Sequence, residues 1–362
     1  MAEEHKEELT GDVGNASSAA NASQNVFEES HTPISQDQLL RRRIGELNLR
    51  FDGTPVARLT RQLYDELEKA GLVFRPAVYL SDEWGCPDRV PIIGVPFYLA
   101  NAELLRLEDE FMEGVETESD DQIMRYLRHE AGHAVNYAYR LYELPEWTEL
   151  FGPFVRPYPD DYRPNPFSRS FVRYLPGWYA QKHPDEDFAE TFAVWLDPRS
   201  NWREVYADWA CLPKLLYVDE FMGRSGGQPP PVTAEDYDTR EPYLSTTIAE
   251  HYSRLRPAPL EIPRLFDGAL REIFEPPASD SGDEMSAAEF LRKHRRQIVW
   301  SVFHWTGLNY DVVRGLVVHL EERCEAMGLQ TGPDQSKRLI QIATLVTTLC
   351  MNRLATGDFV HK

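Results

Sequence analysis

The chain has 362 residues, enough for two domains or one large domain with appended segments, and 42% of them are hydrophobic, as in a packed globular protein. Its formal net charge of −21 argues against a nucleic-acid-binding surface over most of the chain. No apolar run approaches the roughly 18 residues of a membrane span, so we expect neither nucleic acids nor membranes among its partners.

The cysteines and the N-terminal residues indicate a reducing compartment. No CxxC spacing connects the four cysteines, which argues against a disulfide framework or a zinc ribbon; they are Cys86, Cys211, Cys324 and Cys350. The N-terminus lacks the basic and apolar segments of a secretory signal. We therefore expect free thiols and a cytoplasmic location.

The first hundred residues predict a tail, one or two helices and a small sheet. Residues 1–35 are rich in Glu, Ser, Asn and Ala, which predicts a disordered acidic tail. Leucines at helical spacing follow, from Leu39 to Leu72. Short β-like runs come next, and the last spans Ile92 to Leu99. Since Pro96 cannot donate to a ladder, this run is expected to be an edge strand or no strand.

The next predicted helix contains the most informative motif. Ser119 and Gln122 form a capping box that opens it, and Pro145 marks its limit. Within it stands His129-Glu130-Ala131-Gly132-His133. Residues four apart share one helix face, so two imidazoles can reach one zinc ion while Glu130 addresses a water beside it.

From residue 151 onward the sequence predicts a loop, a second helix, a linker and a helical C-terminal region. Residues 151–176 predict an irregular loop, and a second helix begins after Pro184. Residues 223–286 predict a linker with helical segments. The region 287–362 predicts a helical C-terminal region of three helices, at Phe290 to Thr306, Tyr310 to Met327 and Asp334 to Ala355.

A catalytic zinc ion needs a third protein ligand, and several candidates are open. The metzincin pattern would need Gly and His at positions where Asn136 and Tyr139 stand, so it is excluded. His183 lies in a loop before a proline, where an exposed imidazole is the simpler interpretation. Cys86 precedes His129 in the order found in peptide deformylases, but the glycine-rich segment of those enzymes is missing, which favours a buried free thiol.

The strongest candidates are two glutamates on the second helix. Glu186 and Glu190 are one turn apart on the same face, beside an apolar stripe that contains Phe188 and Phe192. Carboxylates on a buried helix need partners. One carboxylate can bind the metal while the other accepts a hydrogen bond from the free ring nitrogen of a ligand histidine.

A mid-helix HExxH followed by a helix with E-x-x-x-E resembles the gluzincin metallopeptidases. The run EDFAETFA, with Tyr179 seven residues before Glu186, is similar to the catalytic domain of anthrax lethal factor. The stretches RHEAGHAVNYAY, GWYAQKHPDEDFAETFAVWL and WREVYADWACLPKLLYVD resemble a bacterial group of zinc-binding metallopeptidases. This resemblance covers roughly residues 37–222, and the C-terminal helices more loosely.

The resemblance implies an α+β fold with a zincin-like catalytic domain over residues 36–222. Its parts are a small sheet with an edge strand, an active-site helix and a second ligand helix, with a helical C-terminal extension. The implied zinc ligands are His129, His133 and Glu186. The resemblance also implies Glu130 as general base, Glu190 as the hydrogen-bond partner of a ligand histidine, and Tyr179 as oxyanion donor.

The sequence thus predicts a zinc metallopeptidase acting on a peptide or protein substrate, whose backbone would pair with the run Ile92 to Leu99. Two alternatives stay open: a zinc-containing scaffold with a closed cleft, or a zinc amidohydrolase acting on a non-peptide amide. The basic clusters Arg41-Arg42-Arg43 and Arg292-Lys293-His294-Arg295-Arg296 are interpreted as solvated helix faces.

Overall fold

The computed structural model describes residues 35–111, 119–159, 162–234, 245–255, 266–277 and 285–360. The predicted acidic tail therefore lies outside the described residues, apart from Ser35, which caps the first helix. Within the described part the fold is mostly helical with one small sheet, as expected for an α+β protein. The helices before the metal motif are α1 (Gln36–Leu40), α2 (Pro55–Lys69) and α3 (Ala102–Phe111).

The helix of the HExxH motif is α4, Asp120–Ala138, and it opens with the predicted Ser119/Gln122 capping box. It ends before the predicted limit at Pro145, because Tyr139 leaves helical geometry and Arg140 adopts a left-handed conformation with φ 53°. The next helices are α5 (Pro145–Phe151), α6 (Pro184–Leu196), α7 (Trp202–Val205), α8 (Leu212–Ser225) and α9 (Ile248–Leu255). The expected second ligand helix is α6, and residues 152–159 and 162–178 form the irregular segment before it.

The C-terminal region contains α10 (Asp267–Ile273), α11 (Ala287–Thr306), α12 (Tyr310–Met327) and α13 (Gln335–Thr356). The three predicted C-terminal helices are therefore confirmed to within a few residues. Glycines in the left-handed region follow each of them, at φ 67°, 65° and 85°: Gly307, Gly328 and Gly357. Such residues are the ordinary stop signal of a helix.

Two strands, β1 (Ala77–Ser81) and β2 (Ile92–Pro96), form a parallel sheet in which Tyr79 faces Gly94. β2 is buried along its whole length. Away from β1, Gly94 exchanges both of its backbone hydrogen bonds with Gly85, at 2.8 and 3.3 Å. Within the described sheet β2 is thus an edge strand, as expected, but Gly85 already occupies the backbone groups of Gly94 on its outer edge. Pairing of this run with a substrate backbone stays a prediction, with less free edge than expected.

The buried apolar residues form two large cores. The first contains residues of the elements from α1 to α9, from Leu39 to Tyr252, and α4 and α6 pass through it. The second contains residues from Phe266 to Phe359, contributed by α10 to α13. The predicted linker 223–286 thus contains α9, which packs in the first core, and α10, which packs in the second. Each fully buried Leu or Phe side chain contributes about 1.5–3 kcal/mol to stability.

Helix α13 is long and apolar enough to cross a membrane by length and composition, and only 22% of that stretch is buried in the fold. Its residues Ile342, Val346 and Leu349 pack in the second core. One such helix, judged by length and composition alone, is weak evidence for a membrane span. The absence of a membrane partner and the cytoplasmic location stay predictions.

Candidate metal centre and its cleft

Three side chains from α4 and α6 converge on one point. The Nε2 atoms of His129 and His133 lie 3.2 Å apart, and Oε2 of Glu186 lies 3.1 Å from the first and 3.2 Å from the second. Ligands bound about 2.0–2.1 Å from a tetrahedral ion lie about 3.3 Å apart, close to these separations. The three residues are buried and form a group that can hold a metal ion.

Glycine allows the two helices to come this close. A Cβ atom on Gly132 would lie 2.7 Å from Cα and 2.9 Å from the carbonyl oxygen of Ala189 on α6. Any larger side chain would force the helices apart. The small residues at this crossing therefore place Glu186 within reach of both imidazoles.

Carboxylates fix the tautomer of both histidines. Nδ1 of His129 lies 2.9 Å from Oε1 of Glu190, and Nδ1 of His133 lies 2.9 Å from Oδ2 of Asp185. Because a carboxylate only accepts, each Nδ1 donates its proton, and a ring that carries this proton alone has a lone pair on Nε2 for a metal ion. Two lone pairs and the Glu186 carboxylate then face one another, an arrangement that fits a cation.

The two carboxylates are themselves held by donors. Asp185 accepts from Asn136 Nδ2 at 2.7 Å and from the Tyr137 hydroxyl at 2.6 Å. Glu190 accepts from the backbone amides of Leu175 at 2.8 Å and Tyr174 at 3.3 Å. These contacts orient the carboxylates before any ligand binds.

The electrostatics of the group favour positive charge. Burial alone would lower the pKa of His129, but hydrogen bonds to Glu186 and Glu190 raise it to about 9. Burial would likewise lower the pKa of His133, but the charges and hydrogen bonds of Asp185 and Glu186 hold this pKa well above its usual range. Burial would raise the pKa of Glu186, and the two imidazoles lower it instead. A divalent cation would supply the positive charge that this site favours.

Glu130 stands beside the group with no partner for one of its oxygens. Its Oε2 is buried and accepts no hydrogen bond from the described residues. Burial raises the pKa of this carboxyl, although both imidazoles oppose the shift. A buried acceptor without a donor is costly, which points to a water or substrate group as its partner.

Tyr179 borders the same space. It lies in a short 3₁₀ turn, Tyr179–Gln181, and its ring centroid is 5.6 Å from that of His129. Its hydroxyl accepts from Lys182 Nζ at 3.3 Å. Burial and the charges of Glu186 and Glu130 raise the pKa of Tyr179, so its hydroxyl stays protonated and can donate.

A cavity of about 560 Å³ reaches these residues, within the size range of ligand pockets. It is bordered by His129, Glu130, His133, Tyr179 and Glu186, together with residues of the C-terminal helices.

The other candidate ligands have different roles. His183 is buried, not exposed: its Nδ1 accepts from the Asp185 amide and its Nε2 lies 2.6 Å from the Arg156 carbonyl oxygen. Cys86 is a free thiol that donates to the Glu130 carbonyl oxygen at 3.3 Å and borders the cavity. The other three cysteines are free and buried.

Sequence reasoning missed one functional residue. The Asp-Glu-Asp run at the start of α6 is explained locally by the helix dipole, so nothing marked Asp185 as the partner of His133. Its neighbour Asp187 faces away and pairs with Lys214 Nζ at 2.6 Å. A partner for the second histidine was nevertheless to be expected, because metal-bound imidazoles almost always donate their other N–H.

Comparisons with protein-family models, with curated proteins and with solved structures found no match to this chain.

Proposed function

We propose that the protein is a zinc-dependent metallopeptidase with a zincin-like core, in which α4 is the active-site helix and α6 the second ligand helix. The observation that carries the proposal is the buried group of His129, His133 and Glu186 at a cleft, with Glu130 beside it, whose Oε2 has no hydrogen-bond partner among the described residues. The resemblance of these motifs to those of the gluzincins, which rests on the same residues, points in the same direction.

The donor set favours zinc. Two imidazole nitrogens and one carboxylate oxygen are the protein ligands of catalytic zinc sites that keep one position open. A bound zinc ion would polarise a carbonyl group and lower the pKa of its water to about 7.

The chain's own residues would then do the rest of the chemistry. Glu130 takes a proton from the attacking water and passes it to the leaving amine, as a general base and then acid. The Tyr179 hydroxyl donates to the carbonyl oxygen as negative charge grows there. One such donor is typically worth about 3 kcal/mol of barrier.

The test combines metal analysis with an unbiased peptide library. The purified full chain is analysed for bound metals and incubated with the library, and cleavage is followed by mass spectrometry. We expect zinc near one equivalent and cleavage that Glu130→Gln abolishes while zinc is retained. The matched control is Glu149→Gln, an exposed glutamate on α5.

Other outcomes would contradict the proposal. Zinc without Glu130-dependent cleavage would support a scaffold protein instead. Loss of zinc in Cys86→Ser, with zinc retained in Glu186→Gln and Glu190→Gln, would point to a different ligand set and to an amidohydrolase.

A further inference from the structure

One wall of the cleft is formed by α11 and α12, two helices that contribute other residues to the second core. The aromatic residues Trp300 and Phe303 of α11 and Tyr310 of α12 pack edge to face, with ring centroids 5.6 to 5.8 Å apart, and all three border the cavity at the metal group. A Cβ atom on Gly177 would lie 2.3 Å from the Phe303 ring, so the glycine permits this close approach.

Two further residues of the lining are also aromatic. Trp84 and Tyr126 stack with centroids 5.4 Å apart and planes 16° from parallel, and both border the cavity. On the α11 side, the buried Nε1 of Trp300 has no hydrogen-bond partner among the described residues. Flat apolar walls with one spare donor suit a large apolar or aromatic side chain next to a backbone carbonyl.

Beyond Trp300 the cleft continues and becomes basic. A second cavity of about 550 Å³ shares Gln122, Tyr126, Leu175, Pro176 and Trp300 with the first. Its far rim carries Arg125, Lys293 and Arg296. Arg125 already donates to the Tyr174 carbonyl oxygen, whereas the exposed Lys293 and Arg296 form no ion pair with the described residues.

The spacing along α11 sets the length of the occupant. Lys293 and Arg296 are seven and four residues before Trp300, so they lie on the same face of the helix. At 1.5 Å per residue, Lys293 is about 10 Å from Trp300, the length of about three residues of extended peptide. Positive charge at this distance, in a chain of net charge −21, marks the rim as a place for carboxylates.

We propose that the cleft binds an extended peptide with a large apolar or aromatic residue beside the metal group and an acidic residue about three positions away. The inference deepens the proposed peptidase function and rests on it for the role of the peptide as substrate. Helix α11 then selects the substrate, with Trp300 as the apolar contact and Arg296 and Lys293 as the charge contacts.

The experiment measures binding separately from cleavage. Fluorescein-labelled twelve-residue peptides, with one Phe and a Glu three positions away, are titrated by anisotropy into full-length Glu130→Gln protein with zinc added. We expect the affinity to fall at least about threefold when Lys replaces the Glu of the peptide, which is the scale of an exposed ion pair. Replacing the Phe by Ala should lower the affinity about tenfold.

Matched charge reversals test the role of α11. Arg296→Glu should lower the affinity for the acidic peptide about threefold and raise the affinity for the peptide in which Lys replaces Glu. The control Arg292→Glu makes the same charge change at an exposed residue of the same helix that pairs with Glu325 at 2.8 Å, and it should leave both affinities unchanged. Equal effects of the two reversals, or no preference between the peptides, would overturn the inference.

Two further outcomes separate this inference from the proposed function. If the wild-type protein cleaves peptides without preferring those that carry Phe and a Glu three positions away, the proposed peptidase function holds and the inference about the cleft fails. If it cleaves none, while binding shows the expected dependence on Arg296, the peptide cleft stands and the peptidase fails. Displacement of the peptide by oligothymidine at lower concentration than by unlabelled peptide would assign the cleft to single-stranded nucleic acid and overturn the inference.

Discussion

Nδ1 of His133 lies 2.9 Å from Oδ2 of Asp185, so the candidate metal ligand and the residue that orients it come from different helices. The Asp185 carboxylate also accepts hydrogen bonds from Asn136 and Tyr137. The ring of His133 is therefore held before any metal binds, and Asp185 contributes to the site without belonging to the ligand group.

We expect Asp185→Asn to weaken zinc binding about 10- to 100-fold, the usual effect of removing a partner of a ligand histidine. An amide offers one acceptor oxygen where the carboxylate offers two, so it cannot satisfy His133, Asn136 and Tyr137 together. Competition against a chromogenic chelator measures the affinity. Asp208→Asn, at an exposed position, is the control, and equal affinities of the two variants would contradict the prediction.

Zinc should stabilise the folded protein. An ion that binds only the native state adds about 2.7 kcal/mol to the free energy of unfolding at 100 times its Kd. Thermal unfolding with added zinc, and again after chelation, is expected to show a higher Tm with the metal. In Glu186→Gln the difference should shrink strongly, because one of three ligands is lost; a full zinc effect in that variant would exclude Glu186 as a ligand.

Gly132→Ala should destabilise the protein by about 1–3 kcal/mol, the usual cost of overpacking. Its methyl group would lie 2.7 Å from Cα of Ala189, so α4 and α6 must separate, and zinc affinity should fall too. Gly223→Ala on α8 is the control, because nothing lies within 4 Å of the added atom. That variant should be stabilised by about 0.4–1 kcal/mol. Urea unfolding of both proteins measures the difference.

Arg128→Met should destabilise the fold by about 3–5 kcal/mol, because it leaves buried carboxylates without their cation. Arg128 donates to Glu66 at 2.7 and 2.8 Å and to Asp197 at 3.0 Å, and all three side chains are buried. The matched control is Arg58→Met, because Arg58 pairs with Asp120 where both side chains are exposed and should contribute little. A similar loss of unfolding free energy in both variants would contradict the prediction.

His251 should make stability fall in mild acid. Burial lowers its pKa below the ordinary 6.5; Asp82 opposes this shift, and Arg254 adds to it. As the pH falls through about 6.5, His251 becomes protonated in the unfolded chain while it is still mostly neutral in the folded protein. The free energy of unfolding therefore decreases.

His251→Phe keeps an aromatic ring against Phe97, which lies 5.1 Å from the imidazole, and removes the titration. Urea unfolding at about pH 7.5 and about pH 5.5 should show a smaller loss of stability in the variant than in the wild type. Equal losses in the two proteins would show that this histidine does not contribute.

Local patterns predicted the parts that depend on local physics. The Ser119 capping box, the start of α6 at Pro184 and the three C-terminal helices each follow from the residues within them. The meeting of Glu186 and Glu190 with the two histidines was also accessible, because two carboxylates on an apolar helix require buried partners. The residues alone left open which of the two joins the metal group, and only the resemblance implied Glu186.

Features that depend on distant packing were not accessible. An apolar stripe continues to Leu141, yet α4 ends at Ala138, since the chain turns at Arg140 and Leu141 is buried in the following 3₁₀ turn. Two other features each depend on contact between distant segments: the hydrogen bonds of Gly85 to Gly94 on β2, and the wall that α11 adds to the cleft. No pattern within either segment encodes such a meeting.

Trp178 donates from Nε1 to the carbonyl oxygen of His304 at 2.7 Å, and the next residue along the chain is Tyr179. Trp178 itself has φ 60°, an uncommon conformation that the contact with the end of α11 helps to hold. The hydroxyl proposed to act on substrate is thus anchored from a helix that supplies no metal ligand. For the proposed peptidase, deleting α11 to α13 would therefore impair turnover even with the metal ligands intact, and its smallest active unit would extend beyond the residues that carry the recognisable motif.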